Sequence, residues 1–184
     1  PKDPSFTPIK FSVVPGITTR LFVPTSEMPT GSDAIENKGI HVVSDDDVSV
    51  FAMNQRTSSA DMTGISPTYS LGNKYIVLSH WENDNGNNNV NSNSEFVIAS
   101  IANGTKIEIT PSVSTLGGKP ALVPFTVTLN EGQIYEIQAH GDLTGTKITA
   151  TNTQGGCQNF ALFAGNQYTL VGPCVTDVGH DHLY

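Results

Sequence analysis

The sequence predicts an all-β protein, an antiparallel β-sandwich, and three observations predict that class. Apolar residues alternate with polar ones in short runs, as in Ile40-His41-Val42-Val43 and Val48-Ser49-Val50-Phe51, the pattern of half-buried strands. Such runs return at intervals of about ten residues with Gly, Pro, Asn or Asp between them, which is the spacing of a sandwich or barrel. No segment of useful length carries the helical period.

The elements follow in order. Residues 1–8, PKDPSFTP, hold three prolines and read as an extended arm. Lys10 to Val14 alternates as a strand, Pro15-Gly16 makes a turn, and Thr18 to Val23 returns. A loop over Pro24 to Asn37 leads to strands at Ile40–Val43 and Val48–Asn54, joined by Ser44-Asp45-Asp46-Asp47. Arg56 to Asn73 reads as a long linker. Lys74 to His80, KYIVLSH, is the strongest continuous apolar run and suits a strand buried on both faces. After Trp81-Glu82, seven of the twelve residues 83–94 are Asn, so no regular element is expected there. Glu95–Ile101 and Thr105–Thr110 flank Ala102-Asn103-Gly104, and Asn-Gly between alternating runs predicts a β-hairpin. Pro111 to Pro124 is a loop, further strands fill 125–167, and Tyr168 to Tyr184 is a tail.

One pattern occurs twice. Gly39-Ile-His-Val-Val43, a polar turn and Val48-Ser-Val-Phe-Ala-Met-Asn-Gln55 are matched by Gly145-Thr-Lys-Ile-Thr-Ala150, a Gly-rich connection and Phe160-Ala-Leu-Phe-Ala-Gly-Asn-Gln167. Phe11-Ser-Val-Val-Pro-Gly16 precedes the first, and Phe125-Thr-Val-Thr-Leu-Asn-Glu-Gly132 the second. Residues 11–55 and 125–167 therefore read as a duplicated four-strand unit, packed as one sandwich or as two sub-lobes. The organisation expected is an arm at 1–8, a first β unit with its linker at 9–73, and a second unit with its tail at 74–184.

Bulk composition narrows the function. Charged residues are 14% of the chain, against about a quarter in an ordinary domain. Thr, Ser, Asn and Gly fill the difference, as in many secreted β-proteins. A net charge of −8, with nine Lys and Arg scattered singly, excludes tracking a phosphate backbone and disfavours anionic lipid. No stretch approaches the roughly 18 apolar residues of a spanning helix. The chain starts at Pro1 and so reads as a processed or trimmed piece. Cys157 and Cys174 could close a loop of about 17 residues, a disulfide contributing roughly 3 kcal/mol in an oxidising compartment; two buried thiols are the alternative.

Candidate sites centre on the Asn-rich loop. Asp84, Asn85 and Asn87, with Asn89, supply oxygen ligands of the type calcium uses, although the spacing departs from the calcium-loop pattern and a solvated loop is the commoner outcome. Trp81 and Tyr69 could stack on a sugar while Asn85 and Asn88 bond its hydroxyls. Ser44-Asp45-Asp46-Asp47 is better explained as a charged turn than as a calcium site. His180 and His182 with Asp181 lack a further metal partner, and His41 and His80 read as edge or satisfied core histidines. Asn103-Gly104-Thr105 matches a glycosylation sequon, but turn chemistry explains it more simply. No nucleophile elbow, His-Glu-x-x-His or phosphate loop occurs.

Several of these motifs, taken in order, resemble a known family. Glu36-Asn-Lys-Gly-Ile-His-Val-Val-Ser-Asp45 with Val48–Asn54, Leu71-Gly-Asn-Lys-Tyr-Ile-Val-Leu-Ser79, Phe96-Val-Ile-Ala-Ser100 with Asn103-Gly-Thr-Lys-Ile-Glu-Ile-Thr-Pro111, and Leu143-Thr-Gly-Thr-Lys-Ile-Thr149 are similar to the signature of the IgGFc-binding protein N-terminal domain. His180-Asp-His-Leu-Tyr184 resembles a further family segment. The resemblance implies a secreted or cell-surface β-module of bacterial, Bacteroidetes-like type, with the family domain continuing past Tyr184. It attaches no catalytic residues, and antibody Fc binding belongs to an animal member rather than to these residues.

The function expected is therefore non-enzymatic: adhesion, binding or a structural role within a larger extracellular assembly. The alternative is a carbohydrate-binding module serving an attached hydrolase. Partners would be an extracellular protein, a glycan or neighbouring domains, with no required cofactor and calcium as the one candidate ion.

Overall fold

A computed structural model describes residues 3–56, 59–80, 92–151, 158–167, 169–170 and 178–179. The strands are β1 (Ile35–Glu36), β2 (Val50–Arg56), β3 (Ser59–Ile65), β4 (Lys74–Ile76), β5 (Ser94–Ser100), β6 (Thr105–Thr110), β7 (Phe125–Leu129), β8 (Ile134–Ala139), β9 (Lys147–Ala150), β10 (Phe160–Asn166), β11 (Thr169–Leu170) and β12 (Val178–Gly179). Two short 3-10 turns, Thr25–Glu27 and Thr68–Ser70, are the only helical elements among the described residues. The protein is all-β, as expected.

Two four-stranded antiparallel sheets, ordered β1-β8-β5-β10 and β4-β9-β6-β7, share one core in a sandwich-like arrangement. Alternation sets each inner face. Phe96 and Ile98 of β5, Tyr135 and Ile137 of β8 and Phe160 of β10 meet Ile107 and Ile109 of β6, Leu129 of β7 and Ile148 of β9. On β6 the intervening Lys106 and Glu108 are exposed, so that sheet has one dry and one wet face. In the other sheet β8 is buried along its whole length and β5 nearly so, and here the outward residues include Glu95, Glu136 and Gln138. Gln138 Nε2 donates to Glu95 Oε2 and to Glu136 Oε1, each at 3.1 Å, giving one oxygen of each buried carboxylate a donor.

Several expectations need correction. Lys10–Val14, Thr18–Val23 and Ile40–Val43 lie in no ladder. A strand needs a sheet edge, and the free edge of β8 is already taken by β1, by Asp33 N–H on Glu136 O (2.8 Å) and by Leu116 N–H on Gln138 O (2.8 Å). The linker after Arg56 instead contains β3, which pairs with β2 in register from Val50↔Ile65 to Arg56↔Ser59. Of the four strands expected in residues 11–55, β2 alone forms, in a two-stranded sheet with β3, whereas its counterpart β10 lies in the sandwich beside β5. The two stretches therefore have different surroundings.

The KYIVLSH run is buried on one face only. β4 is an edge strand, so Val77 is buried while Ile76 and Leu78 point to solvent. His41 and His80 are both exposed and outside strands. The Asn-Gly turn is also not a hairpin: β5 and β6 belong to different sheets, and Asn103-Gly104 carries the chain across the sandwich. Ser100 Oγ donates to Thr105 Oγ1 at 2.8 Å inside this arch. Gly104 N–H donates to Asn130 Oδ1 (3.0 Å) and Glu131 N–H to Asn103 Oδ1 (3.2 Å), so it is tied to the parallel crossing between β7 and β8.

Candidate functional site

Three features built by this fold are candidates for function. The first is the base of the Asn-rich loop. His80 precedes that loop and Ser92 follows it, and the Asn166 side chain at the end of β10 joins them, donating to His80 O (3.2 Å) and Ser92 O (3.1 Å). Asn166 is fully buried, so its amide spans the two ends where water cannot compete. Gln167 adds a reciprocal pair, its N–H to Asn93 O (3.0 Å) and its Oε1 accepting from Asn93 Nδ2 (3.0 Å). Ser79 Oγ bonds Ser94 Oγ (2.8 Å) and donates to Gly165 O. The FAGNQ motif, read in sequence as the end of a repeat, thus acts as a clamp that delivers the loop from a fixed base.

The second feature is a knot at Asp33, which sequence reasoning missed. Asp33 lies in the left-handed region at φ 64°, a conformation Asp tolerates better than most residues. Its Oδ2 accepts from Ser32 Oγ (2.7 Å), Thr115 Oγ1 (2.9 Å) and Gly117 N–H (2.9 Å), and its Oδ1 from Tyr135 Oη (3.0 Å). One carboxylate thereby pins the 115–119 loop against β8. The only hint in sequence was a turn-like Gly31-Ser32-Asp33, because its partners other than Ser32 lie some 80 to 100 residues away.

Burial, reinforced by the Asp33 charge and hydrogen bond, holds the Tyr135 phenol well above its ordinary value. An unfolded tyrosine ionises near about pH 10 while the folded one stays protonated, so this contribution to stability is complete below that pH and is lost as pH rises toward the folded value. Urea unfolding at neutral pH and above about pH 10 should show that loss in the wild type and a flatter profile in Tyr135→Phe. Equal slopes for the two proteins would count against it.

The third feature is the outer face of the β2–β3 hairpin. Cross-strand pairs Phe51↔Gly64 and Met53↔Met62 share one face, and Phe51, Met53 and Met62 are all more than half exposed. The opposite face, with Val50, Ala52, Thr63 and Ile65, is partly buried. Tyr69 follows on the Thr68–Ser70 turn and is 88% exposed.

Of the residues singled out for ligand, metal or disulfide roles around the Asn-rich loop and the tail, Tyr69 alone lies among the described residues. Trp81, Asp84, Asn85, Asn87 and Asn88, the cysteines Cys157 and Cys174, and His180–His182 lie outside the described residues. Among the described residues no group of three or more His, Cys, Asp and Glu is arranged to hold a metal ion. No helix among them is long and apolar enough to cross a membrane. Asp45, Asp46 and Asp47 are exposed, with Ser44 Oγ donating to Asp46 O at 2.6 Å, as in a polar turn.

Comparison with known proteins agrees with the sequence motifs. The family model for IgGFc binding protein matches residues 61–184, from β3 to the last residue. The human IgGFc-binding protein is 28% identical over 146 residues, which is 78% of this chain. The chain spans about 3% of the length of that curated relative. No solved structure matches. With two thirds of its residues under the family model, the chain belongs to the IgGFc binding protein family.

Proposed function

We propose that this domain is a non-enzymatic, extracellular or cell-surface binding module. It works in adhesion or as a structural part of a larger secreted assembly, bacterial in source, and needs no cofactor. The observation that carries it is the outward face of the β2–β3 hairpin. Phe51, Met53 and Met62 stand on one face of a two-stranded ribbon, in cross-strand register, and face solvent. Aromatic and methionine side chains are enriched at protein interfaces, and methionine adapts to the shape of its partner. Family membership supports the same class, since the related human protein is named for binding the Fc part of an antibody.

Although the residues themselves give no reason to expect Fc binding, the human relative's name supplies a defined protein probe. Surface plasmon resonance against an immobilised IgG Fc fragment, with wild type and the triple variant Phe51→Ser/Met53→Ser/Met62→Ser, tests the face. Expected is saturable wild-type binding weakened at least about tenfold in the variant, a loss of about 1.4 kcal/mol or more. The melting temperature should barely move, because these side chains are exposed. Equal affinity of the two proteins would reject the face.

Tyr69, at 88% exposure, favours a second reading as a carbohydrate-binding module beside a hydrolase. A glycan array showing binding that disappears in Tyr69→Ala and in Trp81→Ala would replace the protein-partner proposal. Calorimetric titration with calcium, repeated on Asp84→Asn, tests the ion: heat in the wild type alone would place it in the Asn-rich loop.

A further inference from the structure

Residues 9–23 have the make-up of a β-ribbon without a sheet. Pro15-Gly16 reverses the chain, with Gly16 at φ 78°, a left-handed corner that glycine takes without strain, and Ile17 N–H on Val14 O at 3.0 Å. Thr19 Oγ1 donates to Ser12 O at 3.2 Å and holds the two arms side by side. No ladder joins this ribbon to any described strand. Eight of its fifteen residues are large apolar side chains standing exposed, among them Phe11, Val13, Leu21 and Phe22, the last at 79%. A two-stranded ribbon with that much apolar surface is only marginally stable in water by itself.

The same chain offers an edge such a ribbon fits. β7 is the terminal strand of the β4-β9-β6-β7 sheet, and it pairs with β6 in unbroken register. Its sequence, Phe125-Thr-Val-Thr-Leu129, has no charge, proline or bulge, the devices that keep natural edges from recruiting strands. The other terminal strands of the two four-stranded sheets are less available. β1 has two residues and β4 three, and β10 is partly covered, its Phe160 N–H donating to Gly72 O (3.1 Å) and its Phe160 O accepting from Tyr75 Oη (3.0 Å).

Charge points to the same pairing. The ribbon carries Lys10 and Arg20 and no acid; removing that +2 from the net −8 leaves −10 on the remainder of the chain. Beside the edge itself exposed Glu108 lies opposite Thr126 and exposed Lys106 opposite Thr128, so the complementarity is that of the acidic body as a whole.

We propose that residues 9–23 add as a strand to the outer edge of β7 in a second copy of this chain. Backbone hydrogen bonds supply the affinity, alternate side chains the register, and the basic ribbon on an acidic body the orientation. The contact is heterologous. Each copy retains one free ribbon and one free edge, so assembly runs head to tail.

Sedimentation velocity on the whole chain, up to on the order of 100 μM, tests the proposal at the concentration where a weak contact of that dissociation constant is half formed. The mass should rise above 19.6 kDa with concentration. Val13→Lys/Phe22→Lys removes the ribbon and Thr126→Lys/Thr128→Lys blunts the edge; each variant should stay monomeric with an unchanged melting temperature, since all four side chains are exposed. Deleting residues 1–23 should give the same monomer by an independent route. Mixing the two lysine variants should restore a dimer and nothing larger, because one has only an edge and the other only a ribbon. A wild type that stays at 19.6 kDa, assembly persisting in either variant, or a mixture that fails to dimerise overturns the proposal. None of these changes touches Phe51, Met53 or Met62, so the outcome is separable from partner binding on the hairpin face.

Discussion

Asp33→Ala should destabilise the domain by about 2–3 kcal/mol, the upper part of the range for removing the acceptor from a half-buried hydrogen-bonded network. Four donors converge on the Asp33 carboxylate: Ser32 Oγ, Thr115 Oγ1, Gly117 N–H and Tyr135 Oη. Alanine leaves the Tyr135 hydroxyl without that acceptor while the ring is 3% exposed, and it places a residue with no side-chain hydrogen bond at φ 64°. Asn at the same position tolerates that backbone and keeps one side-chain acceptor, so Asp33→Asn should cost less, about 1–2 kcal/mol. Gly117→Ala attacks the knot from its other side. A Cβ there would fall inside the contact distance of Asp33 Oδ2, Cβ and Cγ, and the short, four-bonded side chain has nowhere to move. Urea unfolding of the three variants measures the order. An Asp33→Ala protein within about 0.5 kcal/mol of wild type would show that the knot contributes nothing.

The second large effect is in the core. Phe160→Ala should cost about 3–5 kcal/mol, the range for emptying a buried aromatic site, and lower the melting temperature by roughly 10 °C. Phe160 is fully buried and joins the two sheets. Its ring packs against Tyr75 with centroids 5.0 Å apart and planes tilted by 59°. Its carbonyl accepts from Tyr75 Oη (3.0 Å) and its N–H donates to Gly72 O (3.1 Å), so the residue also fixes β10 against β4. Phe160→Leu retains most of the apolar volume and should lose less than half as much. Calorimetry would refute the expectation if Ala and Leu melted together near the wild type.

Local pattern was readable wherever a strand's own alternation matched its final environment. Ile107 and Ile109 inside with Lys106 and Glu108 outside follow from the residues themselves. So do the strands at Phe125–Leu129 and Phe160–Asn166. The clamp at Asn166 was visible as a motif but not as a clamp, because an amide declares its partners only when His80 and Ser92 are brought to it. Asp33 was invisible for the same reason. The strand at Ser59–Ile65 was missed because SADMTGI has weak alternation and Gly64, and it becomes a strand through its seven-pair register with Val50–Arg56.

The sequence alone determined the all-β class, the family and the positions of the core strands, because period-two burial and turn chemistry are local properties of the chain. Tertiary structure decided which strands pair. It turned Asn103-Gly104 from a hairpin into a crossing between sheets, gave β2 and β10 different neighbours despite similar sequences, and left residues 9–23 without a ladder. The physical reason is that a strand's hydrogen bonds lie in the plane of its sheet, at right angles to the side chains that carry the pattern. Alternation therefore tells a strand which face to bury, and only the competition for open edges tells it whom to sit beside.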